Sequence, residues 1–246
     1  MPTTELIFIR HGESTGNAAA AAANRAEAEV ITIDRRDADV PLSELGVRQA
    51  EALGRGLRPL LGEAVPIQVW SSPYVRAVQT AQTALSVAGS ELPILVDERL
   101  RDRELGILDL LTWRGVERRH PQEAERRRWL GKFYHRPPGG ESWADVALRL
   151  RSFLRDLTDR AEGARTVVIC HDALVMLFRY ICEGLTEAQV LQIATTDPVR
   201  NVSVTAFRLS ELGQWQLTRY NDVAHLEESD VPVTEHRGEV DAPVRP

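Results

Sequence analysis

The stretch LIFIRHGES, residues 6–14, joins a short apolar run to reactive side chains. Its first four residues are all apolar, which is typical of a central β-strand that is covered on both faces. Arg10 and His11 follow at once, where the carboxyl end of such a strand would lie. In open α/β sheets, ligands bind outside the carboxyl ends of the strands. The stretch therefore predicts a sheet strand and a functional site beside it.

Similar apolar runs recur along the chain and alternate with longer amphipathic segments. We predict strands at Leu6–Ile9, Ile67–Trp70, Ile94–Val96, Val167–Cys170 and Val202–Phe207, with Gln214–Tyr220 completing an edge hairpin. We predict helices after Ser43, over Tyr74–Val87, over Val116–Trp129, after Ser142, over Leu174–Glu183 and over Thr186–Ile193. The first four strands are nearly continuous in apolar character, so we expect them in the centre of the sheet. The alternation predicts an α/β fold, a three-layer α/β/α sandwich with a mostly parallel central sheet.

Two segments fall outside this alternation. Residues 18–41 form a long insertion that contains many alanines and several arginines, and it could cover the site or form a plain surface loop. Residues 223–246 have no apolar period and several prolines, so we expect a loosely structured C-terminal tail. The remaining residues, 1–222, are expected to form one domain.

The composition excludes several classes of protein. The net charge of −6 disfavours a partner that is nucleic acid or an anionic membrane, and no apolar run approaches the roughly 18–20 residues that cross a bilayer. The two cysteines, Cys170 and Cys182, lie in apolar or helical stretches. We therefore expect buried thiols instead of a disulfide framework, and a cytoplasmic protein.

Three of the predicted strands end in reactive or anion-binding residues. Arg10 and His11 follow the first strand, Ser72 and Arg76 follow the second, and His171 follows the fourth. A lone histidine is more often structural than catalytic, and a lone arginine is usually a solvated surface charge. Their shared placement at strand ends is much harder to explain by chance, so we predict one site that collects them.

These residue types suit phosphoryl transfer. A neutral imidazole can attack phosphorus and hold the phosphoryl group covalently. Arg10 and Arg76 would favour the neutral form of His11 and would also bind the phosphoryl oxygens. A carboxyl group must then protonate the leaving oxygen. Three carboxyls in the loop after the third strand are open to that role: Glu98, Asp102 and Glu104.

The strand ends belong to a longer series of motifs. The series begins with Arg10-His11-Gly12-Glu13-Ser14 and Asn17, and it continues with Leu42-Ser43-x-x-Gly46-x-x-Gln49-Ala50, Ser71-Ser72-Pro73-x-x-Arg76-Ala77-x-Gln79-Thr80, Arg103-Glu104-x-Gly106, Gly140-Glu141-Ser142 and His171. The series resembles the histidine phosphatase (phosphoglycerate mutase-like) superfamily, in the order of that family, over about Leu6 to Met176. The first and third motifs are specific, whereas the glycine and Gln-Ala matches alone would be weak.

The resemblance implies a role for each matched residue. His11 corresponds to the phosphorylated histidine, and Glu104 corresponds to the position that often serves as proton donor. The rest of the phosphate pocket corresponds to Arg10, Arg76, His171 and, as a frequent contact on the phosphate side, Asn17. The family uses no metal, so neither a metal ligand nor a cofactor is expected. His120 and His135 are too isolated in the sequence to argue for a metal site.

The resemblance also implies an activity. We expect a metal-independent phosphatase that hydrolyses a small phosphate monoester, carried by a small phosphorylated metabolite, through a phosphohistidine at His11. The alternatives are a cofactor-dependent phosphoglycerate-type mutase and a catalytically inactive binding module of the same fold. No extended match to a mutase lies in the lid region, and retention of the full residue set argues against an inactive module. Two-fold dimers are the commonest assembly, so a homodimer is a further expectation.

Two features concern the substrate and stay open. Asp172 stands where most members have glycine, and its carboxylate could tune substrate choice or cap the following helix, the role that we favour. The segment Arg114–Lys132 is expected to form a helical lid, and it carries five arginines interleaved with glutamates: Arg118, Arg119, Arg126, Arg127 and Arg128. A basic lid would suit a polyanionic substrate, whereas ion pairs within the helix would leave an ordinary solvated face.

Overall fold

One mixed sheet organises the chain. The computed structural model describes residues 3–62, 65–160 and 165–236, and at 158–160 it describes the backbone only. Within these residues the strands are β1 Glu5–Arg10, β2 Ile67–Ser71, β3 Ile94–Val96, β4 Arg165–Cys170, β5 Val204–Leu209 and β6 Trp215–Asp222. Their spatial order is β3-β2-β4-β1-β5-β6. The first four strands are mutually parallel, and β5 and β6 form the antiparallel edge hairpin. The predicted mostly parallel sheet is confirmed.

Helices connect and cover the strands. They are α1 Thr15–Arg25, α2 Glu44–Leu61, α3 Val75–Ala88, α4 Trp113–Arg119, α5 Pro121–Tyr134, α6 Trp143–Arg160, α7 Asp172–Glu183, α8 Glu187–Thr196 and α9 Ala224–Glu227. Short 3-10 turns lie at Asp37–Asp39, Glu98–Leu100 and Gly106–Leu108. None of the helices in the described ranges is both long enough and apolar enough to cross a membrane.

The two faces of the sheet carry separate apolar cores, which confirms the three-layer sandwich. Side chains of a strand alternate between faces, and β1 shows the consequence. Leu6 and Phe8 lie in the core formed with α6, α7 and α8. Ile7 and Ile9 lie in the core formed with α2 and α3. Phe8 stacks on Phe178 of α7 with ring centroids 3.9 Å apart, so β1 is fixed from both sides.

The position of β3 differs from the prediction. We expected Ile94–Val96 in the centre of the sheet, but β3 is an edge strand whose neighbour is β2. Leu95 and Val96 are consequently 37% and 53% exposed. Ile94 packs against the core of α2 and α3. A run of three apolar residues is too short to show whether a further strand lies beside it.

The lid region contains two helices where the sequence predicts one over Val116–Trp129. α4 ends at Arg119, and α5 begins at Pro121. His120, between them, has φ −132° and ψ 56°, which is outside the helical region. A proline has no N–H and disfavours helical geometry in the residue before it. Pro121 therefore ends one helix and serves as the first residue of the next.

The insertion between β1 and α2 is structured. Helix α1 begins with a capping box, in which Ser14 and Asn17 each accept the other's backbone N–H. The following segment is bound to the loop before α4, where the N–H of Ile31 donates to Leu110 at 2.8 Å and the N–H of Thr112 donates to Glu29 at 3.1 Å. The insertion is therefore attached to the lid helices instead of lying free on the surface.

The C-terminal segment packs against the domain up to residue 236, which differs from the loose tail that the sequence predicts. The Gln49 amide donates to the Pro232 carbonyl at 3.0 Å and to Thr234 Oγ1 at 2.8 Å. His225 of α9 lies so close to α2 that a Cβ on Gly56 would stand 2.7 Å from His225 Cβ. Leu226 is fully buried in the core of α2 and α3, and the contacts of Gln49 hold the chain beyond it, so the segment is fixed without an apolar period. The rest of the predicted tail, 237–246, lies outside the described residues.

Both cysteines are free thiols, as the sequence predicts. Cys170 is buried at the end of β4, and Cys182 is half-buried in α7. Burial raises the pKa of Cys182 to about 12, and it also raises the pKa of Cys170. Neither thiol is therefore a thiolate at neutral pH.

Candidate active site

The carboxyl ends of β1, β2 and β4 meet at one edge of the sheet. The pairing places Arg10 opposite Cys170, so the residues that follow both strands are neighbours. The N–H of His11 donates to the Cys170 carbonyl at 2.9 Å, and the N–H of Ser72 donates to the Ile169 carbonyl at 2.9 Å. The rings of His11 and His171 lie 5.1 Å apart, edge to face. The predicted convergence of these strand ends is present.

Helices α2 and α3 hold the loop after β1. The N–H of Gly12 donates to Thr80 Oγ1 at 3.0 Å, and the N–H of Glu13 donates to Gln49 Oε1 at 2.8 Å. The start of α2 approaches the loop so closely that a Cβ on Gly46 would stand 1.9 Å from the Glu13 carbonyl oxygen. Ser43 caps α2 and donates its hydroxyl to Glu13 Oε1 at 2.7 Å. These contacts explain the second motif, which positions the loop that carries His11.

The hydrogen bonds of His11 define its tautomer. Nδ1 lies 2.6 Å from the Gly12 carbonyl oxygen, and because a carbonyl only accepts, Nδ1 carries the hydrogen. Nε2 then holds a lone pair. Arg76 donates its Nε–H to this Nε2 at 3.2 Å. The lone pair of Nε2 is the nucleophilic centre that the sequence predicts for His11.

The surroundings of His11 keep its ring neutral. The side chain is buried, and burial is the main cause that holds the pKa of His11 well below its usual value. The positive charges of Arg76 and Arg10, together with His171, lower the pKa further. The ring is therefore unprotonated at neutral pH, as nucleophilic attack requires.

Arg76 uses all five of its N–H donors within the protein. Besides the Nε bond to His11, Nη1 donates to the Asp37 carbonyl at 2.6 Å and to Asp37 Oδ1 at 3.0 Å. Nη2 donates to Asp37 Oδ2 at 3.1 Å and to Asp102 Oδ2 at 3.0 Å. Burial lowers the pKa of Arg76, but Asp37 and Asp102 outweigh it and raise the pKa above its ordinary value. Asp37 belongs to the insertion, and nothing in its sequence context pointed to this contact.

Arg10 is almost fully buried and faces the C-terminal segment. Its guanidinium donates to the carbonyls of Val199 and His236, the latter at 3.2 Å. Its Nε is buried and has no hydrogen-bond partner among the described residues. Burial lowers the pKa of Arg10, and the charge of Asp172 is the largest of those that oppose this effect.

His171 contacts both sides of the pocket. Its Nε2 lies 2.8 Å from Ser72 Oγ. Its Nδ1 lies 3.2 Å from Asp102 Oδ2, but the angle does not satisfy hydrogen-bond geometry, so Nδ1 has no such partner in the described part of the chain. Buried polar atoms are nearly always satisfied. Nδ1 of His171 is paired with Asp102 by charge, so Nε of Arg10 is the buried nitrogen of this pocket that lacks a partner among the described residues.

Asp102 is a structural anion and not a proton donor. Burial opposes its ionisation, but His171, Arg76 and the N–H of Arg103 together hold the pKa of Asp102 well below its usual value. The carboxylate lies 3.0 Å from Arg76 Nη2 and so stays charged while it orients the guanidinium. Of the three carboxyls that the sequence left open, Asp102 is therefore unsuited to protonate a leaving group.

Glu104 lies at the rim of the pocket, and its side chain is exposed. Its Oε1 accepts the Tyr74 hydroxyl at 2.8 Å. The Tyr74 ring lies 5.2 Å from the His171 ring and lies under the Arg76 guanidinium at 4.9 Å. Burial and the adjacent Glu104 raise the pKa of Tyr74, so the phenol stays protonated. Glu98 lies in a 3-10 turn, and in the described ranges its carboxyl makes no contact with this group of residues.

Asn17 is at some remove from the residues that surround His11. Its Oδ1 accepts the Ser14 N–H at 3.1 Å within the capping box. No contact in the described part of the chain joins it to His11, Arg10 or Arg76. The structure therefore gives Asn17 a helix-capping role, and its amide N–H group is the part that remains for a ligand.

Asp172 is the first residue of α7. Its Oδ1 accepts the Ala173 N–H at 2.7 Å. The cap position of α7, which the sequence favours for Asp172, is occupied by His171, and Asp172 instead places its charge in the first turn of the helix. The same carboxylate raises the pKa of Arg10. Asp172 therefore acts on the pocket electrostatically as well as on the helix.

Ion pairs engage most of the lid arginines. Arg118 and Arg119 bind the two carboxylate oxygens of Glu29, in the insertion, at 2.9 and 3.1 Å. Arg128 binds Glu117 at 2.6 Å, and Arg127 lies over the Trp113 ring at 5.2 Å. The pairs therefore join separate segments instead of forming within one helix, and they neutralise much of the basic surface that the sequence shows.

The mouth of the pocket is acidic. Partial desolvation raises the pKa of Asp109, an exposed residue, and the carboxylates of Asp37 and Glu104 raise it further. Asp37, Glu104 and Asp102 likewise raise the pKa of Tyr74. Within the described ranges these carboxyls form no cluster of three or more ligands that could hold a metal ion. Negative charge thus surrounds the mouth of a pocket that contains Arg10 and Arg76.

The fold and the pocket together define a class of α/β protein, with two histidines and two buried arginines at the carboxyl edge of a mostly parallel sheet. Residues 6–223 match the family model of the histidine phosphatase superfamily (branch 1). The chain therefore belongs to this superfamily, as its motifs predict.

Relatives in the superfamily include mutases and phosphatases. A 2,3-bisphosphoglycerate-dependent phosphoglycerate mutase of Methylobacterium radiotolerans is 34% identical over 79% of this chain and 87% of its own length. A metal-independent phosphoserine phosphatase of Arabidopsis thaliana is 27% identical over 91% of this chain and 83% of its own. A solved mycobacterial glucosyl-3-phosphoglycerate phosphatase, in complex with VO3, matches with a TM-score of 0.68 and 26% identity, covering 89% of this chain and 99% of its own.

Proposed function

We propose that this protein is a metal-independent phosphatase that hydrolyses a phosphate monoester of a small metabolite through a phosphohistidine at His11. The observation that carries the proposal is the state of His11, whose ring is neutral, with Nδ1–H bound to Gly12 and the Nε2 lone pair directed at Arg76. The buried Nε of Arg10, which has no partner among the described residues, supports it, because a phosphoryl oxygen would satisfy this donor.

In the first step, Nε2 of His11 attacks phosphorus, an N–P bond forms and the ester P–O bond breaks. Arg10, Arg76 and His171 stabilise the charge on the phosphoryl oxygens. The leaving oxygen takes a proton from the carboxylic acid of Glu104, so the alcohol departs neutral. Nδ1 keeps its hydrogen throughout and donates it to the Gly12 carbonyl. This hydrogen bond stabilises the ring as it becomes positive.

In the second step, water attacks the phosphohistidine and the P–N bond breaks. The Glu104 carboxylate, left by the first step, takes a proton from the water as it attacks. Inorganic phosphate leaves, and His11 and Glu104 return to their starting states. Every proton is accounted for by Glu104 and water, so no metal is required to activate the nucleophile.

Charge at the pocket mouth supports hydrolysis over phosphoglycerate mutation. A mutase must hold a bisphosphoglycerate, whose second phosphate and carboxylate need cations beyond those on the transferred phosphoryl group. Here the mouth carries Asp37, Glu104 and Asp109, and Arg101 and Arg149 near it are both paired with Glu141. The mutase remains a second candidate because the Methylobacterium relative bears that name.

The test is hydrolysis of p-nitrophenyl phosphate with and without EDTA, by the wild type and by His11→Ala. Turnover that resists EDTA and falls by at least ~10³-fold in the variant is expected, because the variant lacks the nucleophile. His120→Ala, at a histidine between the lid helices, is the matched control and should keep its activity. Retained turnover in His11→Ala, with its circular dichroism unchanged, would exclude His11 as nucleophile.

If neither the wild type nor the variant hydrolyses p-nitrophenyl phosphate, a second measurement separates a mutase from an inactive binding module. Incubation with 2,3-bisphosphoglycerate, followed by denaturation, would trap a phosphorylated histidine in a mutase. The phosphoryl group on the trapped protein should be labile to acid and stable to alkali, and it should be absent from His11→Ala. If the protein neither becomes phosphorylated nor hydrolyses the ester, the inactive binding module is the alternative that is supported.

A further inference from the structure

Asp37 occupies the phosphate-binding fork of Arg76. An arginine recognises a phosphoryl group through two parallel N–H donors, and a carboxylate fits the same fork. Asp37 Oδ1 and Oδ2 accept from Nη1 and Nη2 of Arg76 at 3.0 and 3.1 Å. The side chain of Asp37 therefore contacts Arg76 in the manner of two phosphoryl oxygens.

A count of donors shows what this contact excludes. A guanidinium has five N–H groups, and all five of Arg76 are used, by His11, by the carbonyl and carboxylate of Asp37, and by Asp102. Asp102 is held in place by His171 as well. Asp37 stands on an insertion, and its side chain is 44% exposed. Of the two carboxylates, Asp37 is the one that a ligand can displace.

We propose that Asp37 competes with the phosphoryl group for Arg76 and thereby sets the affinity of the pocket for its ligand. Binding exchanges one bidentate anion for another on the same fork, so part of the gain from the phosphoryl contact is lost in releasing Asp37. The competition also favours the stronger anion, because a dianionic phosphoryl group displaces Asp37 more readily than a monoanion does. The inference rests on the proposed function, since it takes this pocket as the phosphate site.

The turn that carries Asp37 also supplies a matched control. Asp37–Asp39 is one 3-10 turn, and its other aspartate, Asp39, binds Arg36 in a bidentate pair at 2.8 and 3.0 Å. Arg36 is exposed, and among the described residues its hydrogen bonds go to Asp39 and not to His11, Arg76 or Asp102. Asp37→Asn and Asp39→Asn therefore remove the same charge from the same turn, but only the first removes it from Arg76.

The experiment is calorimetric titration of inorganic phosphate into the wild type, Asp37→Asn, Asp37→Ala and Asp39→Asn. We expect the Kd for phosphate to fall about tenfold in both Asp37 variants, the equivalent of one charged hydrogen-bond contact, and to stay unchanged in Asp39→Asn. The gain is limited because the Asp37 carbonyl still accepts from Nη1. With p-nitrophenyl phosphate, KM should fall in parallel while kcat is kept, because the cost removed is common to the bound substrate and the transition state.

The outcomes separate this inference from the proposed function. Folded Asp37 variants that bind phosphate no more tightly than the wild type would overturn the inference, as would no binding by any of the proteins. If the wild type hydrolyses no ester and yet phosphate binds more tightly to both Asp37 variants, the proposed activity fails and the competition stands. An equal gain in Asp39→Asn would reduce the effect to net charge and would also overturn the role of Asp37.

Discussion

Asp102 and Glu104 are two residues apart and have opposite environments. Asp102 is enclosed by His171 and Arg76, which hold its pKa well below the usual range, so it serves as a fixed anion. Glu104 stands at the rim with a single hydroxyl contact, from Tyr74. Their environments therefore suit Asp102 to the role of a fixed negative charge and leave Glu104 as the carboxyl for the proposed proton transfer.

Replacement of Glu104 by glutamine tests that assignment. Glu104→Gln should slow hydrolysis of an alkyl phosphate by about 10²–10⁴-fold, the usual contribution of a general acid. Hydrolysis of p-nitrophenyl phosphate should slow far less, because nitrophenolate leaves without a proton. Rates of both substrates in both proteins are the measurement. An equal loss on the two substrates would show that Glu104 does not protonate the leaving group.

Sequence reasoning reached most of the pocket residues but could not determine their contacts. His11, Arg10, Arg76 and His171 follow strands, and the sheet brings strand ends together whatever the details of the loops. Asp37 escaped prediction because it lies in an insertion with no apolar period. Its contact with Arg76 depends on how that insertion folds back onto the lid, and no local pattern encodes a contact between residues 39 positions apart.

At the scale of elements, α2 and α3 are pressed together at a glycine. A Cβ on Gly54 would stand 2.4 Å from the Ala84 carbonyl oxygen and 2.9 Å from Val87 Cβ. Both helices position the loop of His11, through Gln49 and Thr80. The spacing of α2 and α3 therefore affects stability and the geometry of the nucleophile together.

Gly54→Ala should destabilise the protein by about 1–3 kcal/mol, because backbone must shift to admit the methyl group. Gly62→Ala is the matched control, since its Cβ would stand 3.4 Å from the Arg58 carbonyl oxygen, an ordinary contact. Gly62 follows the last residue of α2 with φ −84°, a conformation that alanine adopts freely, so the smaller entropy of the unfolded chain should leave stability unchanged or slightly higher. Urea unfolding of the two variants is the measurement, and equal stabilities would contradict the tight packing at Gly54.

Helices and strands are predictable where their apolar pattern extends over many residues. The apolar stripe of α2 and the run of β4 are both extensive, and both agree with the structure. β3 was misplaced because a three-residue run carries no information about its neighbours. The break in the lid needed one further rule, that Pro121 cannot continue a helix through His120.

For the molecule as a whole, the buried His225 makes stability depend on pH. Burial is the main cause that lowers the pKa of His225 to about 4, and Arg219 lowers it while Asp222 opposes it. Its pKa in the unfolded chain is about 6.5. Between pH 6.5 and pH 4 the unfolded chain binds a proton at His225 that the folded protein does not bind. The free energy of unfolding is therefore unaffected by His225 above pH 6.5 and falls as the pH drops toward 4.

His225→Gln should reduce this acid sensitivity. The wild type should lose up to about 3 kcal/mol more than the variant between pH 6.5 and pH 4, from the difference between the two pKa values. His11 contributes in the same direction in both proteins, since its pKa is also lowered. Urea unfolding at a series of pH values is the measurement, with His120→Gln as control. Parallel pH profiles for wild type and His225→Gln would contradict the buried neutral state.

The place of β1 in the middle of the sheet has a consequence for synthesis on the ribosome. Glu5 pairs with Arg165 on one side and with Arg208 on the other. β1 is therefore translated long before β4 and β5, the two strands that pair with it. Before β4 is translated, the apolar residues of β1 lack their sheet partners, and the His11 N–H lacks its acceptor, the Cys170 carbonyl. A nascent chain that stops before β4 would also lack His171, so termination at that stage releases no complete pocket.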